Sequence, residues 1–198
     1  MEFIWIFVTD LGDSAVTIPL ATLVVLFLLL GRDWHTARTW VAMVFGCAVV
    51  IGALKFALAG CAHRLAPGSI VSPSGHTAMS VGIYLSFGWL LGRGMAKRIA
   101  AATYVGAVML AIGIGVSRII LHSHDVAEVL VGSIVGTAGH AGFLWMQPAK
   151  RSAPLPIIMM ATAALVLIAV RHGTRWDVEP RLDHLASWLG FSVPWCRP

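Results

Sequence analysis

The residues best able to do chemistry gather in two stretches of an otherwise mostly apolar chain. The first runs from Lys55 through His63 and Arg64 to Ser72-Pro73-Ser74-Gly75-His76. The second runs from Ser117-Arg118 through His122 and His124 to Asp125 and Glu128. A lysine, two arginines, several histidines and a carboxylate meeting on one face would make a site for an anion. Ionisable groups near a bilayer are costly and tend to be retained for function. Metal ligation is the competing use of such residues, but the carboxylate-rich ligand sets that hard cations need are missing. No metal is expected.

Ser72-Pro73-Ser74-Gly75-His76 reads as a helix start, with serine as N-cap and proline in the first helical position. The amides of Ser74, Gly75 and His76 would then point out of a helix end that carries partial positive charge and favours phosphate. Gly75 lacks a side chain and would let an anion reach the backbone. Alone, the stretch could be a mere capping turn; the adjacent His76 and the second cluster favour the anion site. His124 and Glu128 stand four apart. In a helix beginning near Asp125, the carboxylate could reach back to the imidazole, fix its tautomer and leave the other ring nitrogen to attack. The plainer reading is a capping box, with Asp125 as N-cap and Glu128 at the third helical position; the two roles are compatible. His122 reads as a loop histidine.

These residues must be positioned by helices in a membrane. Six runs, about 14–31, 39–58, 73–92, 99–117, 126–147 and 152–170, are long and nearly uncharged. Each suffices to cross a hydrocarbon core as a helix, and their continuous hydrophobicity excludes a transmembrane barrel. The expected fold is therefore all-α, a polytopic bundle of about six transmembrane helices forming one domain over residues 1–198. Residues 1–13 read as an interfacial segment and 171–198 as a mixed tail whose Trp176, Trp188 and Trp195 suit a membrane surface. Gly132, Gly136 and His140 recur at intervals of four, as do Ser133 and Thr137. Such spacing lets helix backbones approach closely. His140 is expected to be a hydrogen-bonded interior histidine.

Of the 198 residues 58% are hydrophobic and 12% charged, against about a quarter charged in a soluble domain. The formal charge of +5 comes from 14 Lys and Arg scattered between apolar runs. No basic stripe is interleaved with aromatics, so a nucleic-acid partner is not expected. Arg32, Arg38, Arg93, Lys97, Arg98, Lys150 and Arg151 fall in links on one side of the bundle, and Lys55, Arg64 and Arg118 on the other. The positive-inside rule puts the first set in the cytoplasm. Arg171, Arg175, Arg181 and Arg197 of the tail would then lie outside. Cys47, Cys61 and Cys196 show no metal-binding spacing. Cys47 reads as a core residue, while Cys61 and Cys196 could pair in an oxidising compartment. The N-terminus has neither the basic region nor the cleavage site of a secretory signal.

The order Lys55, then Pro73-Ser74-Gly75-His76, then Ser117-Arg118, five residues, His124, three residues, Glu128 resembles the type 2 phosphatidic acid phosphatase family. That family shares its active-site pattern with vanadium-dependent haloperoxidases. Glu128 stands where the family usually has Asp. In the first motif Lys55 fits, but Ala62 occupies the expected arginine position; the nearest arginine is Arg64, and Pro67 follows it. The resemblance covers roughly residues 9–146 and includes the opening Thr9-x-Leu11-Gly12-Asp13.

The resemblance implies a membrane lipid phosphatase in which His124 attacks phosphorus and Glu128 orients it. Lys55, Arg64, Arg118, the Ser74 hydroxyl and the Gly75 amide would hold the phosphoryl oxygens. His76 would protonate the leaving oxygen and then activate water. No metal or other cofactor is needed, because the basic side chains supply positive charge. The partners are the bilayer and a phosphorylated lipid, with undecaprenyl diphosphate favoured over phosphatidate, phosphatidylglycerol phosphate or a lipid A phosphate. A bacterial inner membrane, with the site facing the periplasm, fits the charge pattern. The competing readings are a lipid phosphotransferase using the same phosphohistidine, an intramembrane serine protease built on Ser74-Gly75, and a non-enzymatic transporter of an anion.

Overall fold

A computed structural model describes residues 2–59, 72–93, 95–148 and 157–176, together with 181, 184 and 185. Among the described residues there are seven helices: α1 (Glu2–Asp10), α2 (Ser14–Leu30), α3 (Trp34–Ala59), α4 (Gly75–Gly92), α5 (Lys97–Ile120), α6 (Val126–Trp145) and α7 (Ile157–Arg171). Those residues contain no strand. Four stretches, Glu2–Leu30, Trp34–Leu58, Lys97–Ile120 and Val126–Trp145, are long and apolar enough to cross a membrane. Large apolar side chains such as Leu26, Phe45, Val105, Met109, Ile134 and Leu165 point outward. A surface of that kind needs lipid around it rather than water. The chain is an all-α polytopic membrane protein, as its apolar runs predict.

Helix α4 is the central element and packs mainly on α5 and α6, with further contacts to α3 and α2. It carries Thr77, Ser80, Gly82, Ser86 and Gly88, and its neighbours shield it. The closest approach is to α6. A Cβ at Gly132 would lie 2.5 Å from the Ser74 carbonyl oxygen, and one at Gly136 would lie 2.5 Å from that of Ala78. The small-residue spacing read in the sequence is thus a backbone contact between α4 and α6. One turn farther on, His140 is buried, with Ser86 Oγ 2.9 Å from its Nδ1 and the Tyr104 hydroxyl 3.0 Å from its Nε2. The interior histidine joins α4, α5 and α6.

Residues 2–10, read in the sequence as part of an interfacial segment, form α1, which packs against α5 with Thr9 and Asp10 buried. The α1–α2 junction is clamped. A Cβ at Gly12 would lie 2.6 Å from Ile114 and 2.9 Å from the Ser80 hydroxyl, and the Tyr84 hydroxyl donates to the Leu11 carbonyl at 2.5 Å. Asp13 caps α2 by accepting the Ala15 amide at 2.7 Å. Pro19 within α2 has no N–H for the carbonyl of Ala15. Arg171 of α7, which packs on α2, donates its Nε to that carbonyl at 3.2 Å. A neighbouring helix thereby satisfies a backbone group that the bilayer could not.

At the opposite end, Asp33 caps α3 through the Thr36 amide and accepts from Arg93 at 3.3 Å. Gln147 bonds Thr36 and Thr39. This cluster ties the ends of α3, α4 and α6 together, away from the two chemical stretches. Trp40 and Trp89 both meet Phe143 edge-on, at 5.9 and 5.7 Å between ring centres.

Candidate active site

The first residue of the site is Lys55, near the end of α3. Its side chain is almost fully buried, at 1% exposure, and Nζ donates to the Ser72 hydroxyl at 2.7 Å. The Ser72 amide in turn donates to Glu128 Oε1 at 2.8 Å. The other oxygen, Oε2, accepts Nδ1–H of His124 at 2.8 Å. One carboxylate therefore joins the two stretches of chain, and through Ser72 it is linked to the buried lysine. The backbone repeats the connection, since the Ser74 amide donates to the Glu128 carbonyl at 3.2 Å. Close packing of Gly132 on Ser74 brings the start of α4 against α6.

The local fold explains why the histidine is presented. Helix α5 ends at Ile120, and the amides of Ser123 and His124 both turn back to the Arg118 carbonyl, at 3.0 and 3.2 Å. His122, exposed as a loop histidine, adopts φ 53°, the left-handed conformation this tight reversal requires. Asp125 is the N-cap of α6 but its side chain makes no capping hydrogen bond. The capping-box reading does not describe Glu128, whose carboxylate is directed to His124 and Ser72. With Nδ1 donating to a carboxylate, Nε2 is the basic nitrogen of the His124 ring. The side chains of His124 and Glu128 are 6% and 11% exposed, so the pair works in a largely water-excluded setting.

The helix start at α4 differs from the sequence reading. Ser74, not Ser72, is the N-cap, and Pro73 lies ahead of the helix. The reason lies outside the pentapeptide. The Ser72 amide and hydroxyl serve Glu128 and Lys55, while Ser74 Oγ accepts the Thr77 amide at 3.4 Å and the Thr77 hydroxyl at 3.0 Å. The Ser74 amide, expected to point out of the helix end, is directed to α6. Gly75 and His76 supply the first two amides of the helix, at its positive end.

His76 faces an acid that the motif reading left unassigned. Its Nε2 lies 3.4 Å from Oδ2 of the buried Asp13. Arg118, in the last turn of α5, reaches the same α1–α2 region through a 3.2 Å bond from Nη1 to the Thr9 hydroxyl. Two acids within an apolar run, Asp10 and Asp13, were the available signal for this side of the site. Lys55, Gly75 and His76 also line a cavity of about 140 Å³ between α2, α3 and α4. Its other walls include Ile18, Ala48, Ile51, Gly52 and Met79. Arg64, His63, Cys61 and Cys196 lie outside the described residues. Among the described residues, no three His, Cys, Asp or Glu side chains converge in a group able to hold a metal ion.

Comparison with known proteins gives a family and one full-length relative. The family model of the PAP2 superfamily matches residues 56–152, a region that includes the second and third motifs. A protein of Klebsiella pneumoniae, described as an uncharacterized 22.5 kDa protein in the cps region, is 27% identical over 191 residues. That similarity spans 94% of this chain and 91% of the relative. No solved structure matches the chain.

Proposed function

The chain belongs to the PAP2 superfamily, whose members are phosphatases, and from that premise we propose that it hydrolyses lipid phosphates or diphosphates through a phosphohistidine at His124. The observation that carries this reading is the 2.8 Å bond from His124 Nδ1 to Glu128. It favours the tautomer whose Nε2 lone pair attacks, and it stabilises the cation that forms on the ring.

In the first step Nε2 forms a bond to phosphorus as the bond to the leaving oxygen breaks, and His76 gives that oxygen a proton. In the second step His76 takes a proton from water, the oxygen bonds to phosphorus, and the N–P bond breaks to release phosphate. Charge on the transferring group is met by Lys55, Arg118, Arg64 and the Gly75 amide, and the Ser74 hydroxyl completes the cradle. Such preorganised donors stabilise a phosphoryl transition state without a metal ion.

The cavity between α2, α3 and α4 supports an amphiphilic substrate. Its lining combines Lys55, Gly75 and His76 with the aliphatic side chains of Ile18, Ala48 and Ile51. A headgroup phosphate would enter beside Lys55 with its hydrocarbon chain along Ile51 and Ala48. The basic links away from the site favour a cytoplasmic position for the opposite end of the bundle. The site would then open to the periplasm of a bacterial inner membrane. Undecaprenyl diphosphate is the substrate this setting favours.

The test is phosphate release by the purified protein from a panel of lipid phosphates, with EDTA present and no acceptor lipid added. Release by the wild type and none by His124→Ala is the expected result. Equal release by both would remove His124 from the reaction, and strict dependence on a divalent ion would remove the metal-free account.

A further inference from the structure

The Asp13 carboxylate divides its two oxygens between different duties. Oδ1 accepts the Ala15 amide at 2.7 Å and the Trp176 amide at 3.0 Å, while Oδ2 faces His76 Nε2 at 3.4 Å. Trp176 belongs to the segment that follows α7, far away in sequence. That segment is tied to the α1–α2 junction on both sides of Asp13. Arg171 Nε reaches the Ala15 carbonyl that Pro19 leaves open, at 3.2 Å, and Arg175 Nε reaches Asp10 Oδ1 at 2.8 Å. His172 Nε2 lies 3.0 Å from the Phe7 carbonyl. The Arg171 guanidinium covers the Trp176 ring at 5.3 Å, which fixes the turn from which the Trp176 amide donates.

We infer that Asp13 is the positioning residue for His76 and that residues 171–176 form a strap holding its carboxylate in place. The inference rests on the reading of His76 as the acid and base of a phosphatase. Two backbone amides occupy one carboxylate oxygen and leave the other aimed at the imidazole. Asp13 keeps a proton on Nε2 throughout the cycle, so the proton that moves to the leaving oxygen and later arrives from water is the one on Nδ1. The negative charge also stabilises the doubly protonated ring that must exist before the leaving oxygen is protonated. The strap has a second consequence. Residues 171–176 contribute to turnover through Asp13 rather than through the phosphate cradle.

The experiment compares two substrates of the purified full chain. One is a lipid phosphate with an alkoxide leaving group; the other is 4-nitrophenyl phosphate, whose leaving group departs without a proton. Asp13→Asn keeps an oxygen for both amides and a good N-cap, but removes the charge. Measured in single turnover, so that only the first step is read, its rate on the lipid phosphate should fall about 10²-fold, in the range of a lost acid–base contribution, with a change of only a few-fold on the nitrophenyl ester. Trp176→Pro deletes the amide donor and should lower the lipid-phosphate rate more than Trp176→Ala, which keeps it. An Asp13→Asn loss of the same size on both substrates would overturn the inference, as would equal rates for the two Trp176 variants. If the wild type releases no phosphate, or His124→Ala still does, the phosphatase reading fails first and the inference falls with it.

Discussion

Replacing Glu128 with glutamine tests the site at the point where its two halves meet. The carboxylate accepts N–H groups from His124 and from the Ser72 backbone, each at 2.8 Å. A glutamine side chain has one accepting oxygen and one donating nitrogen, so it can serve only one of them. If the oxygen turns to Ser72, the amide nitrogen faces Nδ1 and favours the tautomer with the proton on Nε2, which cannot attack. If the oxygen turns to His124, the Ser72 amide meets a donor, and the link to Lys55 through Ser72 is disturbed. Either arrangement loses a charge-assisted bond of about 2 kcal/mol and leaves a mismatched buried donor of about 2 kcal/mol. If both are felt in the transition state, about 4 kcal/mol corresponds to roughly a 10³-fold fall in kcat. The assay is phosphate release at saturating lipid phosphate, with thermal unfolding as a control for the fold. Glu128→Asp keeps the charge but shortens the side chain by one carbon, about 1.5 Å, so both bonds cannot persist without movement. It should fall between the wild type and glutamine. A Glu128→Gln enzyme within threefold of wild-type kcat, at unchanged stability, would show that the carboxylate does not activate His124.

Three further outcomes follow from the same geometry. His76→Ala should slow lipid phosphates by about 10²–10⁴-fold, the span of acid–base catalysis, and spare 4-nitrophenyl phosphate in the first step, which a single-turnover measurement can resolve. Arg118→Lys should lower kcat/KM by about tenfold or more, because an ammonium cannot reproduce the planar fork that, on the proposed mechanism, grips two phosphoryl oxygens; a rate equal to wild type would place the guanidinium outside the cradle. Gly132→Ala puts a Cβ 2.5 Å from the Ser74 carbonyl oxygen and should cost about 1–3 kcal/mol through overpacking. The measurement is a lower unfolding midpoint together with lost activity, whereas Gly142→Ala, in open space on the same helix, should leave both unchanged.

What could be read in the sequence depends on the distance over which each interaction acts. The His124–Glu128 contact is local: a histidine just ahead of a helix start and a carboxylate one turn into that helix are enough to anticipate it, and the structure adds the bond length. The α4–α6 approach was likewise legible from Gly132 and Gly136, because small residues at helical spacing describe a surface even before its partner is known. The helix start at α4 could not be read in the same way. Local propensity favours Ser72 as cap, and it loses because the Ser72 amide and hydroxyl are claimed by residues of α6 and α3. That competition exists only once the bundle has formed. Asp13 shows the same limit more sharply. Its position in an apolar run marks it as unusual, but its two distant partners, His76 and Trp176, come from another helix and from the tail. The tail arginines, which the orientation rule leaves on the outer side, have structural partners of their own, since Arg171 and Arg175 are engaged by a carbonyl opened by Pro19 and by a buried aspartate. A phosphate site in a membrane bundle therefore has two kinds of determinant. The motif residues carry the chemistry and are visible in short windows. The groups that aim them are backbone amides and acids brought in by packing, and substitutions there should alter the chemistry while leaving every motif intact.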